Sequence, residues 1–451
     1  MTAPDTQALP FQKLRAAADD ALAYALWHGA DRVKVAARCT SDQRLVVANK
    51  EFALAATANS QYIDIMVHKG QKKGAASTNL LCSEGVGRCA DDALALAQFS
   101  VADPFLLMPD ARQAPPVEQL PFLWDQALSA MPLAGVHEFA QAVYQRLTRD
   151  ARISIDRLEV GVACQWRGLY NSLGVAQSEW QTSLRWNLMG LALEHDLVSG
   201  FDYERRAVFG LDNALNTALQ ACDLFCERVL GNLGAAKAPA YAGAVLLSPR
   251  AVQQLLMDTI WYHLAGTSIV DGKSQWANKL GAQVVSRLLH LSDQPHDERF
   301  TGATGFDRDG CPTQPLALLV AGQLVAHGLD CYTANRLGSG SCASAGGPFA
   351  LVCAPGDGDL ETMKSAQPVL LMVDRFSGNI DPLKGDFSGV AKSSRLYRNG
   401  QDQGCVSGAL IAGNVFHVLQ HVLAVSSEAE NVSGAMHMPW MLIDGVTVSS
   451  S

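Results

Sequence analysis

Two periods of apolar residues divide this chain into helices and strands. From Phe11 to Trp27 the spacing predicts an amphipathic helix. Arg32 to Thr78 reads as consecutive short strands: Ile63, Ile65 and Val67 alternate with Tyr62, Asp64, Met66 and His68, the period of a half-buried strand. The segment His68 to Gly74 turns the chain into a strand over Ala75 to Thr78, and an alanine- and leucine-rich helix follows over Ser83 to Phe99. Pro104, Pro109, Pro115 and Pro116 mark Ser100 to Glu118 as a linker, because proline removes a donor and disfavours helix before it. A helix near Val136 to Thr148 comes next, then strands from Ile153 to Phe209 with a turn at Asn171-Ser172-Leu173-Gly174. Leu211 to Leu230 is the clearest helix, with Leu211, Leu215, Ala218, Leu219, Cys222, Phe225, Cys226 and Val229 on one face.

A second break falls at Gly234 to Pro239. Beyond it Ala244 to Leu247 reads as a strand, and Ser248-Pro249 supplies an N-cap and a proline for a helix start. From Gly266 the chain is rich in glycine and strands. Asn399-Gly400 and Asp444-Gly445 lie between apolar runs as hairpin signals, and a helix is expected over Asn414 to Leu423. The pattern gives an α+β chain: an N-terminal helix–β-meander–helix domain over 1–110, a middle α/β region over 111–234, and a β-rich C-terminal domain over 235–451.

Composition narrows the functional classes. At 451 residues, two or three cores are expected. The net charge of −9 argues against a nucleic-acid binder, whose footprint would be basic. Eleven cysteines without a CxxC suggest neither a disulfide framework nor a zinc ribbon, so free thiols in a cytoplasmic setting are the reading. No run of about 18 apolar residues predicts a membrane span.

Several constellations have a plain reading. Lys69, Lys72 and Lys73 form a solvated basic turn. His417 and His421 are four apart, but Val418 stands where a zinc helix would carry glutamate, so a solvated face is preferred to a metal site. Asp307-x-Asp309-Gly310 opens like a calcium loop, but Cys311-Pro312-Thr313 breaks the ligand alternation. Gly338 to Gly347 is glycine-rich without the lysine of a phosphate-binding loop, and its Cys342 is expected to be the most accessible thiol.

Several segments together resemble the PmbA branch of the TldD/PmbA family: Lys72 to Leu80, Ala102-Asp103-Pro104, Leu169 to Gly174, Gly305 to Gly310, Tyr332 to Gly338, Ala345-Gly346-Gly347, Arg398-Asn399-Gly400 and Ile411 to Asn414. Their order holds over nearly the whole chain. The resemblance implies an N-terminal α/β domain, a β-rich C-terminal domain and a dimer enclosing a chamber. It also implies a division of labour, in which a TldD-type subunit carries a zinc protease site and a PmbA/TldE-type subunit pairs with it without one. Peptides and unfolded segments are the implied substrates, and the partner is a TldD-type subunit or a second copy of this chain. The alternatives are a homodimeric family member with non-zinc chemistry on a modified peptide or metabolite, and a peptide-binding module without turnover. No membrane partner and no direct nucleic-acid partner are expected.

The TldD-type motif places a glutamate after a first histidine and a second histidine five positions on. Setting His263 on the second histidine puts Asp258 on the first and Thr259 on the glutamate, and the family's cysteine ligand falls near Ser433. The general base and two ligands are thus missing, so no metal or cofactor is expected in this chain and zinc is assigned to a TldD-type partner. Positions five apart on a helix diverge by about 140°. His263 lies with Val252, Leu256 and Ile260 on the apolar stripe, which makes it a packed core histidine rather than a ligand. Within the implied chamber, Ser344, Gly346 and Gly347 are candidates to meet a peptide backbone, and Trp261 and Tyr262 are candidates for an aromatic wall; ordinary packing explains all five as well.

Overall fold

A computed structural model describes residues 11–450 of the chain. The first half builds one antiparallel sheet from β1 (Arg32–Ala48), β2 (Glu51–Lys69), β3 (Lys72–Thr78), β4 (Ile153–Asn171), β5 (Ala176–Glu194), β6 (Leu197–Val198) and β7 (Asp202–Val208). The order is β3-β2-β1-β4-β5-β6, with β7 also paired to β5. β4 and β5, the strands on either side of the Asn171 turn, run 19 residues each, and within Arg32 to Thr78 the expected short strands are instead mainly two long ones, β1 of 17 residues and β2 of 19. Length is hard to read in β2 because Glu51 to Ser60 is exposed on both faces almost throughout and carries no burial alternation.

One face of this sheet is covered by α1 (Phe11–Trp27), α2 (Ser83–Phe99), α3 (Gln126–Ser129), α4 (Leu133–Leu147) and α5 (Ala214–Gly231). Side chains of period two supply the covered face: Val33, Val35, Ala37 and Cys39 of β1 and Ile63, Ile65 and Val67 of β2 pack with α1 and α2. Further along, Leu158, Val160, Val162, Leu184, Trp186 and Leu188 pack with α4 and α5. The opposite phase forms a more polar face that these helices do not cover. The proline-rich segment after α2 is held to the sheet, with Asn171 donating to the Pro109 carbonyl (2.8 Å) and Gln177 to that of Pro115 (2.7 Å).

The second half forms a 14-stranded sheet around a larger core. Its strands are β8 (Ala236–Lys237), β9 (Tyr241–Leu247), β10 (Leu291–Asp293), β11 (Leu316–Val320), β12 (Gln323–Leu324), β13 (Leu351–Cys353), β14 (Val369–Val373), β15 (Arg375–Ile380), β16 (Asp386–Lys392), β17 (Ser394–Arg398), β18 (Gln401–Ser407), β19 (Ala409–Asn414), β20 (Val422–Val432) and β21 (Met436–Ser450). Asn399 and Gly400 both take positive φ and turn β17 into β18, as a tight hairpin requires. Asp444-Gly445 does not turn the chain. β21 runs through it with a register shift against β9 between Ile443 and Val446, so the pair forms a bulge. Gly445 has φ +86, and a Cβ there would lie 2.4 Å from the His417 ring.

The two halves meet across a buried ionic network. Asp202 of β7, fully buried, receives Arg228 of α5 (Nε, 3.0 Å), Arg250 (Nη2, 2.7 Å) and Arg375 of β15 (Nε, 2.9 Å). Glu204 pairs with Arg206 (2.9 Å) and Arg228 (2.5 Å), and Asp374 stands 3.5 Å from Arg250. Burial pushes the Asp202 carboxyl up, but the guanidiniums of Arg250, Arg228 and Arg375 outweigh it and hold the group below the usual range.

Candidate functional site

Ser248 begins a continuous helical stretch: its hydroxyl accepts from the Ala251 amide (3.2 Å) and Pro249 fills the first turn. The stretch comprises α6 (Pro249–Val252), a π turn over Gln253–Met257 and α7 (Asp258–Leu264). Leu255, Leu256, Met257, Ile260 and Leu264 bury its inner side. Asp258 points to solvent, whereas Thr259 is buried and its hydroxyl has no hydrogen-bond partner.

His263 is fully buried and both ring nitrogens are engaged. The Gln275 amide donates to Nδ1 (2.9 Å), so the proton resides on Nε2, which faces the Pro382 carbonyl (2.9 Å). Burial pulls its pKa down against the hydrogen bonds to the Pro382 and Leu383 carbonyls, which keeps the ring neutral. Ser433 sits in the β20–β21 turn with φ +57 and lines a small cavity with Tyr203, Gln253 and Gln254. The fold therefore brings Ser433 to the π turn, while neither Asp258 nor His263 lines that cavity.

A zinc ion needs converging nitrogen, sulfur or carboxylate donors. An exposed aspartate, a buried threonine and a histidine with no free nitrogen do not fit one. Among the described residues no group of three or more His, Cys, Asp and Glu side chains is placed to hold a metal ion. His417 and His421 lie on the surface with ring centroids 4.2 Å apart and planes tilted by 30°, and Nδ1 of His421 lies 2.7 Å from the His417 carbonyl.

The glycine-rich loop is less open than its composition suggests. Gly338 to Ser341 is exposed, but Ala343, Ser344 and Ala345 are buried, and the Asp307 carboxylate accepts from the Ala345 amide (3.1 Å). The same carboxylate accepts from the amides of Asp309 and Cys311 (both 2.9 Å), which makes the Asp307 segment a turn. Burial and the nearby Asp309 raise the Asp307 carboxyl to about 6. Cys342 is half-buried with its thiol 3.0 Å from the His327 carbonyl, and Cys82 is the exposed cysteine instead. Ser344 hydrogen-bonds toward Cys342, and the Gly347 amide closes back on the Ser344 carbonyl (2.9 Å). Trp261 and Tyr262 lie elsewhere, on α7, where Trp261 packs over Gly328 and Tyr262 sets its ring against His263.

A cleft of about 500 Å³ lies on the face of the first sheet opposite the helices, beneath Phe306, Asp307 and Arg308. Lys34 and Arg38 of β1, Tyr62, Asp64 and Met66 of β2, and Arg167 and Leu169 of β4 line it. A neighbouring cavity of about 180 Å³ shares Arg38, Arg167 and Arg308 and adds Gly346, the one of the five peptide-contact candidates found there. The sequence reading missed these cations. Lys34 and Arg38 share the polar phase of β1, but the segment that roofs them is about 270 residues away in the chain, as the Lys34 contacts to the Arg308 carbonyl (3.1 Å) and Asp309 (3.0 Å) show.

His68, on the same polar phase of β2, is nearly buried. Desolvation, then the positive charges of Arg32, Lys34 and Lys73, lower its pKa to about 4. Below the ordinary value of about 6.5 the unfolded chain binds the proton first, so His68 costs stability as pH falls from there to about 4. A His68→Gln variant lacks this term. Its unfolding midpoint relative to the unmodified protein should therefore rise between pH 7 and pH 4.5; a difference independent of pH refutes the assignment.

The mixed fold, with a helix-covered antiparallel sheet joined to a β-rich second half, is shared with solved structures over almost the whole chain. A protein from Thermotoga maritima proposed to be a modulator of a DNA gyrase superposes with a TM-score of 0.85 at 18% identity, covering 97% of this chain and 100% of that one. TldE from Thermococcus kodakarensis superposes with a TM-score of 0.82 at 18% identity, covering 96% and 100%. Residues 241–450 match the family described as PmbA/TldA metallopeptidase C-terminal domain. The second half of the chain thus carries a PmbA/TldD-family domain. Its relatives include a metalloprotease PmbA homologue of Haemophilus influenzae, 26% identical over 98% of this chain and 97% of that protein. Metalloprotease PmbA of Escherichia coli O157:H7 is 25% identical over 85% of each. No helix among the described residues is long and apolar enough to cross a membrane.

Proposed function

We propose that this chain is a PmbA/TldE-type subunit with no zinc of its own, acting in the cytoplasm in a complex that processes or degrades peptides and unfolded segments. A TldD-type partner supplies the metal, and this chain closes the chamber and holds the peptide. The observation that carries the reading is His263: the motif histidine spends both nitrogens inside the protein, on the Pro382 carbonyl and the Gln275 amide. The edge of β2 supports the peptide-holding role. β3 pairs with β2 only from Ile63 to Lys69, so Glu51 to Gln61 presents backbone groups to which an extended peptide adds as a strand. Eleven unbridged cysteines favour a reducing compartment.

The test is copurification with a TldD-type protein and peptidase assays of each chain alone and mixed. Activity is expected from the pair and to be abolished by a chelator. Chelator-sensitive peptidase activity of this chain alone would overturn the reading, and so would a partner whose activity is indifferent to it.

A further inference from the structure

We propose that the cleft under Phe306 to Arg308 binds a carboxylate, the free C-terminus of an extended peptide; this rests on the peptide-holding reading above. Arg38 of β1 stands directly opposite Arg167 of β4 in the sheet register. Like charges directly opposite in antiparallel strands are destabilising unless something neutralises them. Arg167 is neutralised, by Glu179 (2.6 Å) and the Phe306 carbonyl (2.6 Å). Among the described residues Arg38 and Arg308 form no ion pair, and the carboxylates that line the cleft with them are committed elsewhere. Asp309 binds Lys34 (3.0 Å), Asp64 accepts from the Ser77 hydroxyl, and Asp307 is turned onto three backbone amides.

Arg308 is also held in place. Its amide donates to the Ala345 carbonyl (3.0 Å), its own carbonyl accepts from Lys34, and its side chain lies across Gly346. A Cβ on Gly346 would sit 2.6 Å from Arg308 Nε, so the glycine leaves the space the guanidinium occupies. Two free planar forks, one from each half of the molecule, suit a carboxylate, which takes paired N–H donors. Apart from Tyr62, the uncharged lining is apolar or small, including Ala36, Met66, Ala76, Leu169 and Phe306, and the volume of about 500 Å³ is that of a small-ligand site. This matches an anionic end group on an uncharged body. A polyanion is disfavoured by the net charge of −9.

The experiment uses the full chain and a fluorescent tetrapeptide of small apolar residues, as the free acid and as the C-terminal amide. The amide is expected to bind at least about tenfold more weakly, the loss that accompanies a charged hydrogen-bonding partner. Arg38→Met and Arg308→Met should each weaken the acid by about tenfold and leave the amide unchanged, with unfolding midpoints near that of the unmodified protein. Equal affinity for acid and amide would overturn the inference while leaving the peptide-holding reading intact. Failure of both peptides to bind would overturn both. Displacement of the acid by inorganic phosphate at equal concentration would make the cleft a general anion site and overturn its assignment to a peptide terminus.

Discussion

Replacing Asp202 by asparagine is expected to cost about 3–5 kcal/mol of folding stability, the penalty for leaving buried charges without their counter-ion. Arg228, Arg250 and Arg375 come from α5, from the helix after β9 and from β15, and all converge on this one carboxylate. Asparagine has nearly the same shape, so the loss reports charge rather than a cavity. Since the folded carboxyl is held below its usual range, its contribution is present above the unfolded value of about 3.9 and is lost as pH falls through the folded one. A urea titration at pH 7 followed by fluorescence and far-UV circular dichroism would measure the change. A midpoint indistinguishable from that of the unmodified protein would show that the network contributes nothing to the union of the two halves.

The second large effect is expected at His263. An alanine there removes a ring packed against Phe416 (centroids 4.8 Å apart), Tyr262 (5.2 Å) and Trp276 (5.9 Å). It also strands the Gln275 amide and the Pro382 carbonyl. The cavity and the two unpaired groups together should cost about 2–5 kcal/mol. Because burial lowers the folded pKa, the stabilisation by the neutral ring is full above about 6.5 and declines as pH falls below it. Zinc should leave the unfolding midpoint of the unmodified protein unchanged at pH 7, as should a chelator. A rise in that midpoint with zinc that disappears in His263→Ala would establish the residue as a ligand and refute the structural role.

Much of the local structure was legible because it is set by near neighbours. The predicted bounds of α1 and α2 match the observed ones, and Ser248-Pro249 starts its helix where a hydroxyl acceptor and a fixed φ allow. Asn171 was readable as a turn, and its side chain does close it, accepting from the amides of Leu173 (2.9 Å) and Val175 (3.0 Å). Asp444-Gly445 misled because the same dipeptide that permits a hairpin also permits a bulge. Pairing of β21 with β9 on both sides of it decided the outcome. Leu215 fits the apolar stripe of α5 by spacing yet is exposed, since α4 and the sheet cover a narrower face than the stripe spans.

What the sequence by itself determined is the covalent and local part: the succession of helices and strands, the absence of a zinc-binding residue pattern on the helix after Ser248-Pro249, and the likeness to PmbA-type proteins. Each depends on residue identity at fixed short spacing, and spacing along a helix or strand converts directly into direction. Only the tertiary structure decided which distant residues meet. The placement of Arg308 over Arg38, the convergence of three arginines on Asp202, and the filling of both nitrogens of His263 by Gln275 and Pro382 all join segments from 12 to about 270 residues apart. Such contacts are chosen by the packing of whole sheets and helices, which no local period encodes.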